Sequence, residues 1–345
     1  MRIPALLEKK LNLKSMSLLI VDGNDFSRNF TREVCRAFKF RDIHSASTST
    51  DALQSLQSND IDMMITDWLL EPDTGGVLTR DARRLAGIRN PYLPIIILSG
   101  VADKETIAEA RDAGANEFMA RPFELRQLLA RFVQVLLSPR PFVRCPTYVG
   151  PDRRRGASTE YTGPERRAAK RPPIRPPSAT AAAEKAASPG GVTVKTMVEE
   201  GQKVIVAEEK RYTEVRRQDL DDLSALFEKL RQASLPDLRT VDEIYHKANG
   251  LKAMGQTFGF PLLTQAGDSL CRILWKLPVE RIAMPVTIQG IEAHVKTMRL
   301  IVEKDIRHDG GKVGSDLIAG LRSLVGKIAP ESQAVPMETD DTTLS

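Results

Sequence analysis

Cysteine is scarce in this chain. Cys35, Cys145 and Cys271 are the only three in 345 residues, they lie far apart, and no CxxC spacing joins any two of them. A disulfide framework and a thiolate metal site are thereby excluded, and the three read as ordinary reduced thiols. Long apolar runs are also missing. The segment Met1–Lys10 has no apolar core of signal-peptide length, and nothing later approaches the roughly 20 residues that a membrane span requires. The expectation is a soluble, cytoplasmic protein without membrane contact. Histidine numbers four, and His44, His294 and His308 have no partner spacing for a metal. Charge of one sign is in modest excess, +5 overall, and many of the basic residues fall between Arg140 and Arg175. Such a local excess describes a segment rather than a basic surface, and no aromatic platform accompanies it, so nucleic acid is disfavoured as a partner.

What is present suffices for two domains of ordinary size, each with its own core. From Ser17 to Leu137 short apolar strands alternate with amphipathic helical segments. The strands are expected at 17–21, 41–46, 61–66, 94–99 and 115–119, with helices near 25–38, 49–58, 76–88, 103–113 and 124–137. This is the pattern of a doubly wound α/β domain with a five-stranded parallel sheet. From about Val192 to Ile328 a period of 3.6 residues takes over, in stripes such as Leu220, Leu223, Phe227 and Leu230, and predicts an all-α bundle of four or five helices. Between them, Pro, Arg and Ala dominate, which predicts a mobile, partly extended tether. The tether carries a repeat, Tyr148-Val-Gly-Pro-Asp-Arg-Arg154 and Tyr161-Thr-Gly-Pro-Glu-Arg-Arg167. Its two readings are a clamp docking through Tyr and paired Arg, and a solvated turn. The expected division is an extension over 1–14, the α/β domain over 15–138, the tether over 139–193, the bundle over 194–330 and a disordered tail over 331–345.

The ends of four expected strands carry chemistry. Asp22 follows Ser17–Val21, Asp67 follows Ile61–Thr66, Ser99 follows Pro94–Leu98, and Arg121 with Pro122 follows Asn116–Ala120. Strand carboxyl ends gather ligands in open α/β sheets, so two acids, a hydroxyl and a cation converge there, as phosphoryl transfer to a carboxylate requires.

These residues, with Gly75 eight positions after Asp67 and the run Asp112-Ala-Gly-Ala115, resemble the flavodoxin-like receiver domain of two-component response regulators over roughly 15–138. The resemblance implies that Asp67 is the phosphoacceptor, Asp22 a metal-binding acid, Ser99 the switch hydroxyl, Phe118 the switch aromatic and Arg121 the phosphate-contacting cation. It implies Mg²⁺ on Asp22, Asp67 and the backbone carbonyl of Leu69, and a cis peptide before Pro122. Two positions depart from the pattern. Gly23 stands where the family has a second acid, which weakens the metal site, and Arg121 replaces a lysine. Asp25 is expected to cap the next helix.

The run Ala248–Phe260 resembles the histidine-phosphotransfer (HPt) motif of alphaproteobacterial helical bundles, over roughly 215–328. Leu251, Lys252 and Gly259 keep its spacing, but Asn249 stands at the histidine position, and an amide is no phosphoryl acceptor. His246, one turn earlier, shares with Asn249 and Lys252 a stripe expected to be exposed. Gly255 and Gly259 suggest close approach of a docked receiver or of a neighbouring helix. The expectation is a phosphorelay signalling protein without enzymatic activity, acting through a pseudo-phosphotransfer bundle. Its partners would be a sensor histidine kinase or other phosphodonor and a receiver or signalling protein docked on the bundle, with homodimerisation open. The alternatives are phosphotransfer by His246, a constitutive adaptor, and nucleic-acid binding through the tether.

Overall fold

The computed structural model describes residues 3–70, 73–100, 103–121, 123–152, 177–233, 237–276 and 282–328. Contacts divide the chain into two units, Met1–Glu208 and Glu209–Ser345. The first begins with α1 (Ile3–Leu7) and β1 (Lys10–Leu11). It continues through β2 (Ser17–Val21), α2 (Asp25–Ala37), β3 (Asp42–Ala46), α3 (Ser49–Ser58) and β4 (Met63–Asp67). Then come α4 (Gly75–Arg84), β5 (Ile95–Ser99), α5 (Lys104–Ala113), β6 (Glu117–Ala120) and α6 (Leu125–Leu137). The strands β2 to β6 form one parallel sheet in the order β3-β2-β4-β5-β6. In β2, β4 and β5 every residue is buried, because helices cover both faces of a parallel sheet. Their continuous Leu, Ile and Met runs therefore supply the core, each buried side chain contributing about 1.5–3 kcal/mol of transfer free energy.

Local chemistry sets the helix limits. Thr48, Thr74 and Asp103 accept the backbone N–H of Asp51, Val77 and Thr106 and cap α3, α4 and α5. Asn24, rather than Asp25, caps α2, its side chain accepting from Ser27 N, while Asp25 is the first helical residue and pairs with Arg28. The helix expected to reach 88 stops at Arg84, with Leu85 already extended and Gly87 at φ +87°.

The region read as a mobile tether is largely built into the first unit wherever it is described. A hairpin of β7 (Phe142–Cys145) and β8 (Tyr148–Pro151) follows α6 at once, and all of β8 is buried. Further on come α7 (Pro177–Ala187), β9 (Val192–Thr193) and α8 (Val194–Gln232). β9 pairs antiparallel with β1, Lys10 opposite Thr193 and Leu11 opposite Val192. The composition misled because few apolar side chains suffice here: among the described residues Phe142, Tyr148, Val149, Pro151, Ala182 and Ala186 are buried. The second copy of the repeat, like Arg153 and Arg154 of the first, lies outside the described residues.

The second unit comprises the remainder of α8, then α9 (Leu238–Gly255), α10 (Pro261–Lys276), α11 (Pro285–Glu303) and α12 (Gly311–Ile328). Pro261 and Pro285 begin α10 and α11, and Gly310 and Gly311 both take positive φ where α12 begins. Tyr212 stacks on Phe258 at 4.3 Å, and the fully buried Arg216 lies over the Tyr212 ring while pairing with Asp219 at 3.0 Å. No described helix is long and apolar enough to cross a membrane.

Candidate functional site

The carboxyl ends of β2, β4, β5 and β6 carry the four predicted side chains. Asp22 is 2% exposed and Asp67 7%. Between them lies the guanidinium of Arg121, with Nη2 2.8 Å from Asp22 Oδ2 and Nη1 3.6 Å from Asp67 Oδ1. Ser99 is fully buried at the end of β5, and its carbonyl accepts the backbone N–H of Arg121 at 2.6 Å, which fixes where the arginine leaves the sheet. Phe118 is half-buried against the apolar cluster between the sheet and α3 to α5. Pro122, and with it the expected cis peptide, lies outside the described residues.

The two acids are held differently. Asp22 is saturated: its Oδ1 accepts Asn24 N at 2.9 Å, and its Oδ2 accepts Ser27 Oγ at 2.6 Å besides Arg121. Arg28 donates to its carbonyl at 2.6 Å. Asp67 Oδ1, by contrast, is buried without a hydrogen-bond donor. Burial pushes the Asp67 carboxyl up to about 7, with the Asp22 charge adding to the rise and Arg121 opposing it. Gly75 explains the spacing after Asp67: a Cβ there would collide with the Asp67 carbonyl, so α4 begins directly against the site. Ser27 and Arg28 were not legible as site residues, because a hydroxyl and a cation five and six positions after an acid form no pattern until α2 turns them back over it.

Two carboxylates within reach of one guanidinium also fit a hard divalent ion, since the donors are oxygen and Asp67 Oδ1 accepts no hydrogen bond. Among the described residues no cluster of three or more metal-ligating side chains exists. Gly23 adds no donor, although a Cβ there would meet nothing nearer than Ser47 O at 3.8 Å.

In the second unit the expected exposed stripe is not found. Asn249 is 8% exposed and Lys252 3%, with His246 half-buried and edge-on to Tyr245. α10 lies against Lys252, and Gly267 permits it: a Cβ on Gly267 would lie 2.7 Å from Lys252 Cβ and 3.2 Å from Ala248 O. Lys252 pairs with Asp268 at 3.1 Å. Gly255 likewise packs inside the bundle, where a Cβ would meet Thr264 Oγ1 at 2.6 Å, and Gly259 ends a short turn at φ +82°. The glycines thus serve intrabundle packing, and Asn249 and Lys252 offer no docking face. His294, fully buried, bonds Gly290 O and Ser269 Oγ.

Residues 18–133 match the family described as response regulator receiver domain. The chemotaxis protein CheY of Pseudomonas aeruginosa is 31% identical over 120 residues, which are 35% of this chain and 95% of that protein. Chemotaxis protein CheY-3 of Vibrio cholerae serotype O1 is 31% identical over 110 residues, 32% of this chain and 83% of that protein. Among solved structures, a response regulator receiver protein from Pseudomonas putida shares 27% identity over 34% of this chain and 96% of its own, with a TM-score of 0.30. With the acids of β2 and β4, the hydroxyl of β5 and the cation of β6 gathered at one sheet end, this chain belongs to the response regulator receiver family of two-component phosphorelay signalling.

Proposed function

We propose that this protein is an atypical response regulator that accepts a phosphoryl group at Asp67 and signals by binding other proteins through its helical second unit. The observation that supports this reading is the Asp67 carboxylate, buried at a strand end with Oδ1 free of hydrogen bonds and a guanidinium 3.6 Å away. Asp67 attacks the phosphorus of a sensor histidine kinase or a small phosphodonor, the bond to the leaving group breaks, and the product is an acyl phosphate. Arg121 and the Ser99 hydroxyl receive the phosphoryl oxygens, and Phe118 follows Ser99 to carry the change to the adjoining surface. Asp22, Asp67 and the Leu69 carbonyl would hold Mg²⁺, which neutralises phosphoryl charge when bound. With Gly23 in place of an acid, and Arg121 already bridging the pair, this site is weaker than a receiver with a second acid. The bundle has no phosphoacceptor at Asn249, so its output is association rather than onward transfer.

Incubation with a small phosphodonor and Mg²⁺, followed by intact mass, tests the reading. A single phosphoryl adduct on the wild type and none on Asp67→Asn is expected. One observation favours a second reading: the 2.8 Å Arg121–Asp22 bond already satisfies the acid without a metal. A constitutive adaptor locked this way would give no adduct at any Mg²⁺ concentration, and its partner binding would not change in Asp67→Ala.

A further inference from the structure

The first copy of the repeat is docked, and its docking chemistry can be read atom by atom. Tyr148 is buried and its hydroxyl donates to Pro151 O at 2.7 Å, closing the segment over Gly150. Gly150 lies so close to Gly114, at the end of α5, that a Cβ on it would fall 2.7 Å from Gly114 Cα and 2.5 Å from Tyr148 Oη. A Cβ on Gly114 would in turn collide with Val149 O. Backbone meets backbone, and only glycine on each side permits it.

The seat beneath is rigid. Arg83, buried, donates to Gly114 O at 3.1 Å, to Pro91 O and Leu93 O at 2.8 Å each, and to Asn116 Oδ1 at 2.8 Å, while its guanidinium lies under the Phe142 ring at 5.1 Å. Pro91, Leu93 and Asn116 precede β5 and β6, so the seat is at the end of the sheet opposite Asp67.

The tyrosine, glycine and proline of this contact recur in the second copy as Tyr161, Gly163 and Pro164, with Glu165 for Asp152 and Thr162 for Val149, whose contact with Gly114 is made by its backbone carbonyl. The residues before the second copy, Arg155–Ser158, supply no counterpart of Phe142–Cys145. The second copy thus repeats the docking residues without the strand sequence that precedes the first. That strand is present in the same chain, as β7. We propose that the two repeats are alternative occupants of this one seat, the second displacing the first from β7 and Gly114 within the same molecule.

Reach allows the exchange. Two residues join Cys145 to Tyr148, and 15 join Cys145 to Tyr161, a length that spans the same gap with slack. The longer loop costs more closure entropy, which makes the first repeat the resting occupant. Exchange alters the chain length left between the seated proline and α7 from the 25 residues 152–176 to the 12 residues 165–176. The occupant of the seat therefore sets how much chain is left to run from the seat to α7, which Lys185 holds against Asp62.

A double-substitution cycle in the full chain tests this. Tyr161→Ala alone should leave the melting temperature unchanged. In a Tyr148→Ala background, where the second repeat has become the occupant, it should lower the melting temperature by a further ~2–4 °C. Additive behaviour would overturn the proposal, and non-additivity that disappears on dilution would overturn it too, since it would place the second repeat on another copy. As an independent measurement, a labelled peptide of residues 158–170 should bind the Tyr148→Ala/Tyr161→Ala chain with an anisotropy increase that Gly163→Val in the peptide abolishes. No binding to a chain whose circular dichroism is that of the wild type would sink the idea.

Discussion

Asp67 and Arg121 face each other in a space that water barely enters, and their chemistry decides the receiver's resting state. Desolvation raises the Asp67 carboxyl to about 7, so the folded state holds this proton more tightly than the unfolded chain, where the carboxyl has an ordinary value near 4. Stability contributed by the proton is complete below the unfolded value and is lost as pH rises from about 4 to about 7. Without divalent ions, the wild-type melting temperature should accordingly fall relative to Asp67→Asn across that window. Parallel profiles for the two proteins would show that Arg121 keeps Asp67 ionised throughout. The same arginine competes with a metal for the acid pair. Replacing it by lysine, a flexible point charge in place of a planar fork, should raise Mg²⁺ affinity about tenfold, equivalent to ~1.4 kcal/mol. Calorimetric titration would read this directly. Gly23→Asp, for which the site has room, should raise it as well, and an unchanged affinity would mean that the new carboxylate turns toward solvent.

At the scale of elements, close helix packing in the second unit rests on single glycines. Gly267→Val would press a side chain into Lys252 and the Ala248 carbonyl and should cost about 1–3 kcal/mol in urea unfolding. An unaffected midpoint would mean that α10 shifts along α9 without penalty. These contacts also explain how much was legible in the sequence. The receiver strands were readable because apolar runs bounded by turn residues have one good solution, and Asp22, Asp67, Ser99 and Arg121 follow from their ends. The stripe of His246, Asn249 and Lys252 was misplaced because periodicity on α9 places residues on a face without saying what covers that face. A lysine reads as solvent-facing until α10, admitted by Gly267, is laid against it and Asp268 supplies the counter-charge. The hairpin of β7 and β8 was missed for a related reason. Its partners, Arg83 and Gly114, come from α4 and the end of α5, and no local signal in a Pro- and Arg-rich stretch points to them.

At the scale of the whole chain, the receiver is an interior passage of a larger first unit, bounded by segments far apart in sequence. β1 pairs with β9, Val194 N donates to Lys9 O and Asn12 N to Ala186 O. Lys185 reaches Asp62 at 2.8 Å, and the Asn12 side chain donates to Ser188 Oγ and Pro189 O. This clasp joins the residues just before the sheet to those just before α8. Truncation at residue 14 should therefore weaken the seating of α7 and the start of α8, seen as faster amide exchange over 182–201, although no residue of the α/β alternation is removed.

The clasp also makes the covalent path through 153–176 mechanically redundant. Tension applied between the receiver and α8 runs through two paired backbone segments and a half-buried ion pair, bypassing the peptide bonds in between. A single tryptic cut after Arg153 or Arg167 should leave two polypeptides that migrate together under native conditions and separate only in denaturant. A chain cut there would still be one machine.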